Sequence, residues 1–269
     1  MESIRVLLKH WPEDKEAAKY RFDLAWQCEK LAEIAEPAKR QDWLNEAIDN
    51  YQKVSANSPY YSEARFYALE LQYQLLQDMP TGESKLTKAR ELQTAMKQLG
   101  REMHILWQKA TEKSKKNNLG RYGSTSEFHG EVLAHDLLGE KDAALQRIEA
   151  LPDRWPGTPV LREGSEFAIR SRLARGDVQQ ALGQFEAFRK KYGDTQAQGL
   201  MQVVVEKLRE AILALSLERG KEEQLRMFRD AYVAFARQVY ETSIASASAQ
   251  EKYYLTLLYA DSLVQSGTT

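Results

Sequence analysis

Residues 139–156 recur in softened form at 176–193. Gly139, Ala144, Leu145, Glu149 and Ala150 match Gly176, Ala181, Leu182, Glu186 and Ala187, each 37 positions on. The apolar positions repeat as well: Ile148 with Phe185, Leu151 with Phe188, Trp155 with Tyr192. An echo at a fixed period means one structural unit stacked on a copy of itself, because a single such unit cannot bury its own apolar face. The chain is directed toward a helical array and away from a compact enzyme.

The composition agrees. Apolar residues make up 43% of the 269 and charged residues 29%, polar for this length, as a thin two-layer structure requires. Good helix formers dominate, and only 14 Gly and 7 Pro interrupt them. Apolar residues recur at helical spacing in Leu24–Leu31–Ile34, Tyr67–Leu71–Leu75, Val204–Leu208–Ile212–Leu215 and Phe228–Val233–Phe235–Val239. No stretch alternates as a strand does. The expected fold class is all-α, built of stacked antiparallel helix pairs. Gly139, Gly176, Gly220 and Gly267 each follow such a helix and are expected to close it in the left-handed conformation.

Within each pair the second helix carries a pattern: Ala, an aromatic or aliphatic residue four on, an apolar residue three further, and Pro five later. Ala47, Tyr51, Val54 and Pro59 fit it, as do Ala144, Ile148, Leu151 and Pro156. Ala181, Phe185 and Phe188 fit with Gly193 in the proline slot. This resembles the second half of a tetratricopeptide repeat. The small Ala lets two helices approach, the larger residue fills the gap to the next unit, and Pro stops the helix. The first-helix signature of that family is not found intact: Phe128 takes its Trp slot but Glu131 its Leu slot. The resemblance implies a right-handed α-solenoid with approximate units 1–12 (partial), 13–59, 60–119, 120–158, 159–193, 194–242 and 249–269 (partial). The same register places Ile4 and Leu7 in the apolar slots before Pro12, with the matching Ala falling before Met1. A first helix over Tyr253–Val264 has no partner after it. The expectation is a single array that forms part of a longer one.

The residues that could carry chemistry are few. Cys28 is alone, so neither an intrachain disulfide nor a thiolate metal site is expected, and no cofactor is implied. Nucleophile-elbow, phosphate-loop and dinucleotide motifs are all missing. His129 and His135 are six apart and point different ways on a helix. Glu127, Glu131 and His135 share one face, for which a solvated helix surface is the plain reading. Gly120–Ser126 reads as a loop in which Ser124, Thr125 or Ser126 caps a helix, with Lys113, Lys115 and Lys116 ending the helix before it. An anion or nucleic acid held by Lys113–Arg121 is the alternative there. A net charge of −1 argues against nucleic acid for the chain as a whole. Tyr60, Tyr61, Phe66, Tyr67 and Tyr73 read as core packing before they read as a groove, and Trp11, Trp26, Trp43 and Trp155 as gap fillers.

In the tetratricopeptide family the first helix of each pair lines the concave face that grips peptides. The resemblance puts Ser126, His129 and Asp136 on that face in one unit, and Glu163, Glu166 and Arg170 in the next. The family's carboxylate-clamping Lys/Asn pairs are replaced by acidic or neutral residues, apart from Arg170, so a basic or mixed-charge partner is implied. The expected function is a non-catalytic scaffold for a protein or peptide partner. A recruiting or positioning arm of a larger protein or enzyme is the alternative. No run approaches the ~18 apolar residues of a membrane helix, and Met1–Lys9 has no cleavage-site pattern. A complete chain would be cytoplasmic, and an internal fragment could belong to the cell envelope.

Overall fold

The structure, a computed structural model, describes residues 1–245 and 247–267; the last two positions of the final expected unit lie outside it. It is 83% helix, and the described residues form no strand. The chain divides into two compact units, Met1–Leu161 and Arg162–Thr269.

The first unit holds α1 (Glu2–His10), α2 (Ala17–Ile34), α3 (Pro37–Gln52), α4 (Tyr61–Asp78), α5 (Glu83–Lys109), α6 (Lys113–Asp136) and α7 (Lys141–Arg154). Each packs on its neighbour in sequence, and α4 also touches α6. Antiparallel pairing follows from the contacts. Along α5 and α6, Lys97 lies by Glu131, Gly100 by Glu127, Met103 by Gly123 and Trp107 by Gly120, one number rising as the other falls. Along α4 and α6 the numbers rise together, Phe66 by Tyr122 and Glu70 by His129, so those helices run parallel with α5 antiparallel to both. That alternation is the helical, repeat-like architecture.

The second unit holds most of α8 (Val160–Arg175), then α9 (Val178–Tyr192), α10 (Asp194–Ser216), α11 (Glu222–Ser243) and α12 (Ala249–Ser266). Here too α9, α10, α11 and α12 pack in sequence order. α12 starts with a capping box: the Glu251 N–H donates to Ser248 Oγ, and the Ser248 N–H donates to Glu251 Oε2 at 2.8 Å. Gly267 ends it at φ +73°, and Gly139, Gly176 and Gly220 also hold positive φ, as the stop positions require.

The second-helix pattern faces inward. Ala47, Tyr51 and Val54, Ala144, Ile148 and Leu151, and Ala181, Phe185 and Phe188 are all buried. The register at the N-terminus differs by one. Met1, and Ile4 and Leu8 of α1, pack on the cluster around Leu24, Cys28 and Leu44, while Leu7 is 37% exposed. α1 rests on α2, so only a narrow 1-4-8 stripe turns inward. Of the gap-filling tryptophans, Trp155 is enclosed, whereas Trp11 and Trp26 are exposed.

Cys28 is fully enclosed, and burial pushes its thiol up to about 11. The thiolate is the reactive form, so a thiol reagent at neutral pH should modify the native chain far more slowly than the urea-unfolded one. Equal rates would show that α2 and α3 open freely around it.

Candidate functional site

The helix α6 organises the chemistry of the first unit. The expected loop at 120–126 lies inside it, and Lys113, Lys115 and Lys116 occupy its start instead of ending α5. Glycine, commonly a loop signal, serves here as a gap. A Cβ on Gly123 would stand 2.3 Å from Cη2 of Trp155 and 2.8 Å from Cβ of Met103. A Cβ on Gly100 of α5 would meet Glu127 Cγ at 2.2 Å. Glycine weakens a helix interior by about 1 kcal/mol against alanine. Here that cost is offset by the close seating of α5, α6 and the indole of Trp155.

The stripe Glu127–Glu131–His135 is buried, which corrects the solvated-face expectation. Charged groups leave water only when partners replace it, and the partners come from α5 and the α7 region. Trp155 Nε1–H donates to Glu127 Oε2 at 2.9 Å, and Arg154 Nη2 lies 2.9 Å from Oε1. Glu131 bridges Lys97 of α5 (3.0 Å) and Arg147 of α7 (2.7 Å), and Arg147 also holds Glu140. His135 Nδ1 stands 2.6 Å from Asp136 Oδ1. Burial raises the Glu127 carboxyl above its ordinary range, against the lowering influence of Trp155, Arg154 and His104. Two carboxylates thus tie three helices together at a fixed register. Among the described residues, no group of three His, Cys, Asp or Glu is placed to hold a metal ion.

The other side of α6 is open along a narrow strip, Arg121, Thr125, His129 and Asp136, facing α4. Its side chains are engaged from below and accessible from outside. The His129 ring stacks on Tyr73 (centroids 4.6 Å apart, planes at 4°), with Nδ1 2.9 Å from Glu70. Tyr122 stacks on Phe66 at 4.8 Å with Glu63 beside it, while the Arg121 guanidinium lies over the Tyr122 ring and near Tyr67. Burial pushes the Tyr73 phenol up to about 12, so it remains a neutral donor at physiological pH. The strip offers aromatic surface, the Arg121 guanidinium, the His129 imidazole, and the carboxylates Glu63, Glu70 and Asp136.

Of the residues expected on the binding face, His129 and Asp136 lie on this strip. Ser126 does not. It is 0% exposed, and its Oγ is buried without a hydrogen-bond partner, so it presents nothing to a ligand. A shift of one residue explains the miss: Thr125, next to it, is the accessible hydroxyl at the 121–129 spacing. In the second unit, Glu163 and Arg170 are exposed and Glu166 is half-buried; Arg170 and Glu166 pair at 2.7 Å across one turn of α8. Ser126, His129 and Asp136 belong to the first unit and Glu163, Glu166 and Arg170 to the second. The proposed basic cluster separates as well. Lys116 lies over the Trp107 ring at 5.1 Å, while Arg121 turns to the tyrosines beside α4. Among the described residues no helix is long and apolar enough to cross a membrane.

No protein-family model, curated protein or solved structure matches this chain. Its reading therefore rests on its own geometry. The places of Arg121 and Thr125 follow from helical spacing alone once 120–126 is helix. Trp155 as the donor to Glu127 does not, since 28 residues separate them.

Proposed function

We propose that the chain is a non-catalytic, tetratricopeptide-like scaffold that grips an extended peptide or partner segment along the α4–α6 strip. The observation that carries this reading is the row of half-exposed Tyr73, His129, Glu70, Arg121 and Asp136 side chains held in place over a buried, ion-paired foundation. Side chains already ordered before contact lose little entropy on binding, and aromatic anchors ringed by polar groups are the usual composition of binding hot spots. The enclosed Ala/aromatic/aliphatic triplets of α3, α7 and α9 support the family assignment. Three carboxylates against Arg121 and His129 favour a partner segment rich in Lys or Arg, with charge setting selectivity and encounter rate.

The test is a fluorescence-anisotropy screen of extended peptides of graded charge against the intact chain. Lys/Arg-rich peptides are expected to bind best, and Glu70→Lys with Asp136→Lys should weaken them about tenfold or more. Glu163→Lys, in the other unit, should leave them unchanged. Binding that ignores the Glu70 and Asp136 substitutions would sink the assignment to this strip.

A further inference from the structure

The last described helix, α12, is apolar on two opposite sides. Inward, Leu255, Leu258 and Ser262 are buried, and the Tyr232 hydroxyl of α11 donates to Asp261 Oδ2 at 2.7 Å. Outward, Tyr253 (68% exposed), Leu257 (49%), Ala260 and Val264 (61%) form a strip with no charged residue, spaced 4, 3 and 4 residues apart. That spacing makes a straight seam along a helix over about three turns. Leu213 of α10 and Leu217 at its C-terminal end, one and two turns on from Arg209, are also exposed, and Arg209 pairs with Asp261 at 3.5 Å. A helix apolar on both sides is built to be covered on both.

We propose that the covering surface is the same strip of a second copy, in a two-fold antiparallel pair of α12 helices. The sequence of the strip is complementary to its own reversal. With the axis between Leu257 and Ala260, Leu257 of one copy meets Ala260 of the other, and Tyr253 meets Val264. Each large side chain faces a smaller one, the arrangement that lets helices interdigitate. The nearest charges do not collide: Lys252 falls by Gln265 and Asp261 by Thr256 of the second copy. Antiparallel packing also sets opposite helix dipoles side by side. Such a two-fold contact uses one patch twice and closes on itself. It buries on the order of 1,000 Å², the low end for specific association, so the dimer is weak and concentration-dependent.

Sedimentation equilibrium on the intact chain, from about 1 to about 500 µM, tests this. The wild-type mass should rise toward twice that of the monomer. Leu257→Lys and Ala260→Glu, both on exposed positions, should each hold the chain monomeric. The double substitution L257K/A260E should restore the dimer, since each lysine then meets a glutamate of the other copy. Circular dichroism of the single variants should match the wild type. A wild-type chain that stays monomeric throughout overturns the proposal, as does a dimer that L257K leaves intact. Failure of the double variant to recover overturns the antiparallel register.

Discussion

Trp155→Ala is expected to destabilise the 1–161 unit by about 3–5 kcal/mol, the usual range for emptying a fully enclosed aromatic site. The indole is 0% exposed, and it fills the space left by Gly123. Its loss also strips Glu127 of a buried donor, adding about 1–3 kcal/mol if no other group takes over. All five tryptophans lie before residue 162, so their fluorescence during urea unfolding reports this unit alone. Gly123→Ala drives a methyl into Trp155 and Met103 and should cost about 1–3 kcal/mol. The two sites share one volume. Gly123→Ala placed on Trp155→Phe should therefore cost less than on the wild type. A Trp155→Ala loss under about 1 kcal/mol would mean that α5, α6 and α7 collapse around the void.

Glu127→Gln is expected to alter how the stability of this unit depends on pH. Burial raises the folded-state carboxyl above the 4.5 of an ordinary glutamate. Between the unfolded and folded values the native chain holds more protons than the unfolded one, so this group's contribution is complete below about 4.5. It is lost as pH rises through the folded value. Glutamine keeps an acceptor for Trp155 and cannot ionise, but it gives up the charge of Arg154. Unfolding free energies of the two proteins across about pH 4 to about pH 8 should thus shift in favour of the variant as pH rises. A difference that stays flat, or moves the other way, would show that Arg154 and Trp155 outweigh burial in setting the carboxyl.

What a local window of sequence can reveal divides cleanly here. The second-helix triplets and the terminating glycines were readable because each works within its own helix or the adjacent turn. Ala144 must be small and Ile148 must be apolar wherever the pair packs. Gly123 reads as loop in the sequence because its role is set by a side chain far along the chain, that of Trp155. The carboxylate stripe was placed in solvent for the same reason. Lone Glu is almost always outside, and Lys97, Arg147 and Arg154, which make burial tolerable, stand on other helices or beyond a helix end. On the candidate strip, His129 and Asp136 are the positions that the repeat register also names. Thr125 was lost to a one-residue register error, and Glu70 because parallel neighbours two helices apart leave no trace in sequence.

The tight seating of α6 has a bearing on descent. Surface strips drift quickly and second-helix triplets occur in any such array, so neither marks kinship. Gly123 with Trp155, and Gly100 with Glu127, cannot change one member at a time, because a side chain gained at the glycine must be matched by one lost at its neighbour. Glu127 and Glu131 are bound to the same compact through their cationic and indole partners. A distant cousin of this chain would thus be recognisable by Gly-x2-Gly-x3-Glu-x2-Gly-Glu followed 24 positions later by Trp, even where every exposed residue had been replaced.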